Sequence, residues 1–90
     1  MSLPFEISNK LRETLDKLAN KDNALAIAVR KKIDQIINFD IDSIQHFKNL
    51  RGKMSHLKRV QVGSFVLTFR LEGNVIIFED FDHHDTIYKN

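Results

Sequence analysis

The stretch LKRVQVGSFVLTFRLEGNVIIFEDFDHHDTIY, residues Leu57–Tyr88, decides the fold. From Phe65 to Leu71, the residues Phe65, Leu67, Phe69 and Leu71 fall on one side of an extended chain, and Val66, Thr68 and Arg70 on the other. This alternation predicts a sheet packed on one face and solvated on the other. In Leu57–Val62, Val60 and Val62 alternate with Arg59 and Gln61. Placing the valines with the phenylalanines leaves Arg59, Gln61, Thr68 and Arg70 on the open face. Gly63-Ser64 is a two-residue hairpin signal, and Glu72-Gly73-Asn74 a three-residue one. Val75–Phe81 is almost continuously apolar, as a central strand is. A polar tail, Asp82–Tyr88, follows with adjacent histidines His83 and His84.

Upstream, the pattern turns helical. Pro4-Phe5-Glu6-Ile7 reads as a short edge strand, because proline is tolerated at edges and strand starts. Ser8 or Asn9 then caps a helix of roughly 8–19 carrying Leu11, Leu15 and Leu18. Asn20-Lys21-Asp22-Asn23 reads as a turn. Beyond it Leu25, Val29, Ile33, Ile36 and Ile37 form the stripe of a second helix. Helices joined so closely form an antiparallel hairpin whose apolar face packs on the sheet. In the connection Phe39–Leu50, Asp42 or Ser43 is expected to cap one turn carrying Ile44, Phe47 and Leu50. The expected architecture is α+β: an N-terminal helical hairpin on one face of a twisted, mainly antiparallel sheet of three to four strands.

Ninety residues suit a single domain, 1–90, with one small core. The absence of cysteine leaves no disulfide framework and is compatible with a reducing cytoplasm. The N-terminus lacks a signal-peptide layout, and no apolar run approaches the roughly 18–20 residues of a membrane span. A cytoplasmic protein with no membrane partner is therefore expected. The net charge of +2 permits an acidic partner without demanding one. Its distribution is more telling: His46, Lys48, Arg51, Lys53, His56, Lys58 and Arg59 lie within fourteen residues, while Glu79, Asp80, Asp82 and Asp85 gather near the end.

The segment Leu50–Tyr88 resembles the RelE/ParE superfamily of toxin–antitoxin toxins. Leu50-Arg51-Gly52 matches a Leu-x-Gly motif. Arg59-Val60-Gln61-Val62-Gly63-Ser64-Phe65-Val66-Leu67 is similar to that family's Arg-Ile-Arg-Val-Gly-Asp-Tyr-Arg-Val. Phe69-Arg70 supplies an aromatic–Arg pair, and His83-His84-Asp85-Thr86-Ile87-Tyr88 a terminal His-x-x-x-ψ-Tyr. The resemblance implies a toxin of a type II module, bound by a cognate antitoxin and acting as a metal-independent mRNA endonuclease at the ribosome. It also places Arg59 on a cationic strand position, His84 on a tail position that is histidine in a YafQ-like subgroup, and Tyr88 on the terminal aromatic. Val66 and Gln61 stand where the family usually carries cations.

Metal-free RNA cleavage needs a base for the 2′-hydroxyl, an acid for the leaving 5′-oxygen, and cations for the phosphorane. His84, with His83 beside it, and Tyr88 are the acid–base candidates; Arg59 and Arg70 are candidates for the phosphate. Arg51, Lys53, His56 and Lys58 would guide RNA. Each has a plainer reading: His83 packing or capping a turn, Arg59 and Arg70 pairing with Glu79 or Asp80, Tyr88 packing on the sheet edge, and the basic run as a solvated loop. No cofactor or metal is expected, since the consecutive residues Asp82–Asp85 converge poorly on one ion. A ParE-like, gyrase-binding toxin and a degenerate homologue serving only as an antitoxin partner are the alternatives these residues leave open. Apolar strips left bare without an antitoxin would favour self-association.

Overall fold

The computed structural model describes residues 2–88, the side chain of Tyr88 excepted. Strand β1 (Phe5–Ile7) pairs in parallel with strand β4 (Val75–His83), Phe5 facing Ile76. Pro4 precedes the strand at the sheet edge, and its carbonyl accepts from the Ile76 amide at 3.0 Å. Strands β2 (Lys58–Val62) and β3 (Phe65–Glu72) complete a mixed sheet of order β1-β4-β3-β2, antiparallel except at β1.

Gly63 and Gly73 each have φ of 61°, and no other type of residue among those described has a positive φ. Glycine at the first central position and a normal φ at the second is the pattern of a type II′ turn, which matches the twist of hairpin strands. The second turn is shorter than its sequence suggests. Glu72 pairs with Val75, so only Gly73 and Asn74 are left in the loop.

Helix α1 (Asn9–Lys21) begins where the Ser8 hydroxyl accepts from the Leu11 amide at 3.0 Å. Helix α2 (Asn23–Ile37) follows after one residue. Asp22 closes the first helix through its amide, bonded to the Leu18 carbonyl, and opens the second through its carboxylate, which accepts from the Leu25 amide. The expected four-residue turn is thereby compressed to a single shared cap. Helix α3 (Ile41–Gln45) is capped by Asp40, not by Asp42 or Ser43, because the Asp40 carboxylate reaches the Ser43 amide at 2.8 Å. That bond, chiefly, holds the Asp40 carboxyl below its ordinary pKa. Phe47 lies beyond this helix and packs edge-to-face on Phe69, with ring centroids 5.5 Å apart.

Leu11, Leu15, Val29, Ile33 and Ile36 of the hairpin pack with Leu67, Phe69, Ile76, Phe78 and Phe81 of the sheet as the main core. Phe78 and Phe81 are three residues apart, so a regular strand would send them to opposite faces. A register shift resolves this. Thr68 faces Asp80 and Phe69 faces Phe78, leaving Glu79 as an extra bulged residue. The Ser8 hydroxyl donates to the bulge carbonyl of Glu79 at 2.6 Å, and the Ser8 amide donates to the Phe78 carbonyl.

The opposite face is less open than its alternation implies. Val66, 2% exposed, forms a second apolar cluster with Leu50, Leu57 and Ile87, flanked by Met54. Thr68 is also buried there, its hydroxyl bonded to the Asp80 carbonyl at 3.3 Å. The polar tail, given no element from its sequence, ends in a short helix, α4 (His84–Tyr88).

Replacing Ser8 with alanine removes both the helix cap and the donor to the bulge. Urea unfolding of Ser8→Ala should show a loss of about 1–2 kcal/mol with an unchanged m-value, and Ser8→Thr should recover most of it. A Ser8→Ala midpoint equal to that of the wild type would refute this account of the bulge.

Candidate functional site

The face opposite the helical hairpin is built in rows across the strands. Arg59 lies opposite Thr68, which faces Asp80; Gln61 lies opposite Val66, which faces Asp82; Arg70 faces Ile77. Helix α4 lies over the Val66 row because Ile87 enters the cluster of Val66, Leu50 and Leu57. Its start is fixed by two bonds. The His84 amide donates to the Ser64 carbonyl of the β2–β3 turn at 3.0 Å, and the Asp85 amide donates to His83 Nδ1 at 3.2 Å.

The two histidines therefore separate. His83 ends β4, lies edge-on to Phe65 at 5.5 Å, and uses Nδ1 as an acceptor for the first turn of α4. That bond requires Nδ1 without a proton, so the neutral ring carries its hydrogen on Nε2. His84 opens the helix, half-exposed, with Nδ1 3.5 Å from a carboxylate oxygen of Asp85. The Tyr88 side chain, expected to stack or to carry a proton, lies outside the described residues.

The cations divide in the same way. Arg70 is clamped at 2.8 Å by Glu79 through Nε and at 2.8 Å by Glu72 through Nη1. These hydrogen bonds, Glu79 first, raise the guanidinium pKa above its ordinary value. Asp80 takes Lys10 at 3.0 Å, and this hydrogen bond is the chief reason the Lys10 pKa is raised. Thus two of the clustered acids are matched by Arg70 and Lys10. Lys58 sits on the helix side of the sheet with Val60 and Val62. Its ammonium reaches the carbonyls of Gln45 and Phe47 and the side chain of Asn49, at 3.1–3.3 Å. That uses its three donors on the loop before β2.

Arg51, Lys53 and His56 are exposed on the segment between Leu50 and Leu57, which includes a 3-10 turn, Gly52–Met54. Because Leu50 and Leu57 are buried against Val66, this segment is held on the α4 side of the sheet. Arg59 is half-buried at the adjoining row. The fold thus brings Arg51, Lys53, His56, Arg59 and His84 to one face, with Arg70 farther along it and already paired.

Between these parts lies a pocket of about 220 Å³, lined by Lys10, Met54, Leu57, Thr68, Glu79, Asp80 and Ile87. Lys10 and Ile87 carried no functional signal in the sequence. Lys10 meets Asp80 across 70 positions, and no local pattern reports such a pair. Ile87 could have been noticed as the one aliphatic residue in a polar tail. Among the described residues, no three His, Asp or Glu side chains are grouped to hold a metal ion, and no helix is long and apolar enough to cross a membrane.

No family model matches the chain. Among curated proteins it is 41% identical over 88 residues to "Putative toxin RelE4" of Methanocaldococcus jannaschii, covering 94% of this chain and 89% of that one. Among solved structures it is similar to YafQ from Escherichia coli, with a TM-score of 0.72 at 15% identity over 96% of this chain and 98% of that one. It is also similar to a chain of the E. coli DinJ–YafQ toxin–antitoxin complex, with a TM-score of 0.70 at 16% identity, covering 98% and 99%. The backbone likeness fixes a fold of this kind, and the sequence identity to RelE4 fixes the lineage: the chain belongs to the RelE/ParE-like toxins.

Proposed function

We propose that this protein is the toxin of a type II toxin–antitoxin module and that it cleaves mRNA at the ribosome by side-chain acid–base chemistry. The observation that carries the proposal is the single face shared by His84, Arg59 and the basic segment holding Arg51, Lys53 and His56. A strand of RNA laid on that face would have its phosphates beside the segment and its scissile bond near the start of α4.

Cleavage then follows ordinary in-line chemistry. A base removes the 2′-hydroxyl proton, the 2′-oxygen attacks phosphorus, and the bond from phosphorus to the 5′-oxygen breaks as an acid protonates that oxygen. His84 fills one of these roles, since an imidazole exchanges protons near neutral pH. Tyr88 serves as base-stacker or proton donor. Arg59 stabilises the phosphorane charge. Arg70 can join only by giving up part of its clamp to Glu79 and Glu72, so we assign it the lesser share. His83 serves as the cap of α4, and Lys58 holds the loop before β2.

The partner we propose is a cognate antitoxin, as DinJ is found with YafQ in their complex. Without one, Phe5, Ile27 and Phe39 remain exposed, and a mainly apolar groove lined by Phe5, Ile7, Leu15, Ile33 and Ile37, with Arg30 and Asp34 also in its lining, stays uncovered. Such surface favours self-association.

Induced expression with mRNA end-mapping tests the proposal. The wild type should arrest growth and leave cut transcripts, and His84→Ala should lower the cleavage rate by roughly 10²–10⁴-fold. Arrest with intact mRNA would overturn the nuclease reading; undiminished cleavage by His84→Ala would overturn the site.

The basic segment makes a separate prediction. Replacing Arg51, Lys53 and His56 together with glutamine should raise KM and flatten the salt dependence of RNA binding, with kcat nearly unchanged. A fall in kcat at constant KM would assign these residues to the chemistry instead.

A further inference from the structure

We infer that Ile87 is the positioning residue of the site: its insertion beside Val66 is what holds His84 in place. The inference rests on the assignment of His84 to RNA cleavage made above.

Helix α4 has five residues, too few to persist by its own hydrogen bonds. Its sequence, His84-Asp85-Thr86-Ile87-Tyr88, places its first four side chains as three exposed ones and Ile87, which is 8% exposed. Ile87 lies three positions after His84, so docking its side chain fixes the rotation of the helix and the direction in which His84 leaves it. Two backbone-amide bonds among the described residues, His84 to the Ser64 carbonyl and Asp85 to His83, hold the helix near its start, and Ile87 docks toward its other end.

The socket is not part of the main core. Val66, Leu50 and Leu57 form it on the opposite sheet face, with Met54 at its border. Val66 occupies the middle of that socket at 2% exposure. Leu50 and Leu57 bracket the basic segment, so its anchoring survives without Ile87. The removal of Ile87 should therefore disturb the tail histidine and spare the RNA-guiding cations.

The test is a double-mutant cycle on the purified full chain, cleaving a defined mRNA on ribosomes, with amide hydrogen exchange as a second readout. Ile87→Ala should lower kcat by about 10–100-fold with KM within about threefold. It should abolish protection at 84–88 and keep that of β3 and β4. In a His84→Ala background the same substitution should lower kcat by clearly less than it does in the wild type, because part of its effect runs through His84 and the rest through Tyr88 on the same helix. Ile87→Val, which keeps the branched shape, should recover most of the rate; Ile87→Thr, of the same branched shape as valine but polar, takes the place of Ile87→Ala in the cycle if that variant does not fold.

Additive losses in the cycle, a rise in KM alone, or retained protection at 84–88 would each overturn the inference and leave the nuclease assignment standing. Full activity of Ile87→Ala beside an impaired His84→Ala would do the same. Full activity of His84→Ala would overturn both.

Discussion

The architecture depends on a bulge at Glu79 and on the serine that satisfies it. A regular β4 would bury one of Phe78 and Phe81 and expose the other. One extra residue between them turns both rings into the helix-facing core. A bulge leaves backbone groups without ladder partners, and the Ser8 hydroxyl accepts this duty for the Glu79 carbonyl while capping α1. One side chain thus fixes the start of the hairpin, its height on the sheet and the position of the strand irregularity. The same extra residue directs Glu79 and Asp80 to the opposite face, where Arg70 and Lys10 meet them. Core packing and site electrostatics follow from the same local event.

The two sheet faces solve different problems. The hairpin face has continuous apolar stripes from α1 and α2 and makes most of the core. The other face has only a short loop and a five-residue helix to cover it, and uses a small cluster around Val66 to do so. The resemblance to the RelE/ParE pattern implies a cation at the position of Val66. Here that position is sealed beneath Leu50, Leu57 and Ile87, so it gives up a charge and gains an anchor for two short covering segments. Inserting arginine at this position would bury a charge or expel α4; either outcome would disorder the site.

Much of this was legible in the sequence because it is periodic and local. Alternation from Phe65 to Leu71 gave the strand faces, and the stripe from Leu25 to Ile37 gave the second helix. The edge strand after Pro4 and the first hairpin turn also followed from residue chemistry. What escaped depends on pairing across distance. The bulge needs the register of β4 against β3, although the core-type residues Phe78 and Phe81 at a spacing of three in a strand were a usable sign. Helix α4 is too short to form by propensity alone, so a polar tail with one isoleucine gave no helical signal. The cap of α3 is expected at Asp42 or Ser43, both good capping residues; the bond from the Ser43 amide to the Asp40 carboxylate places it at Asp40 instead. For the site, composition identified the basic segment and the tail histidines but not the division of labour among them. Lys58 shows why: its alternation with Arg59 was readable, but its three acceptors lie on a loop whose path was not.

The charge balance carries the last consequence. A chain of net charge +2 has little cation to spare for RNA, and carboxylates on the same face would repel a phosphate. Pairing Glu79 with Arg70 and Asp80 with Lys10 offsets part of that repulsion without drawing on Arg51, Lys53 or His56. These surface pairs, partly open to solvent, add little to stability. Glu72, which shares Arg70, and Asp82 keep the floor of the face acidic, so the rim supplies its positive potential. A phosphate approaching this surface is then drawn toward the basic segment and not toward the bulge. The substrate path is defined as much by which cations are occupied as by which remain at the rim.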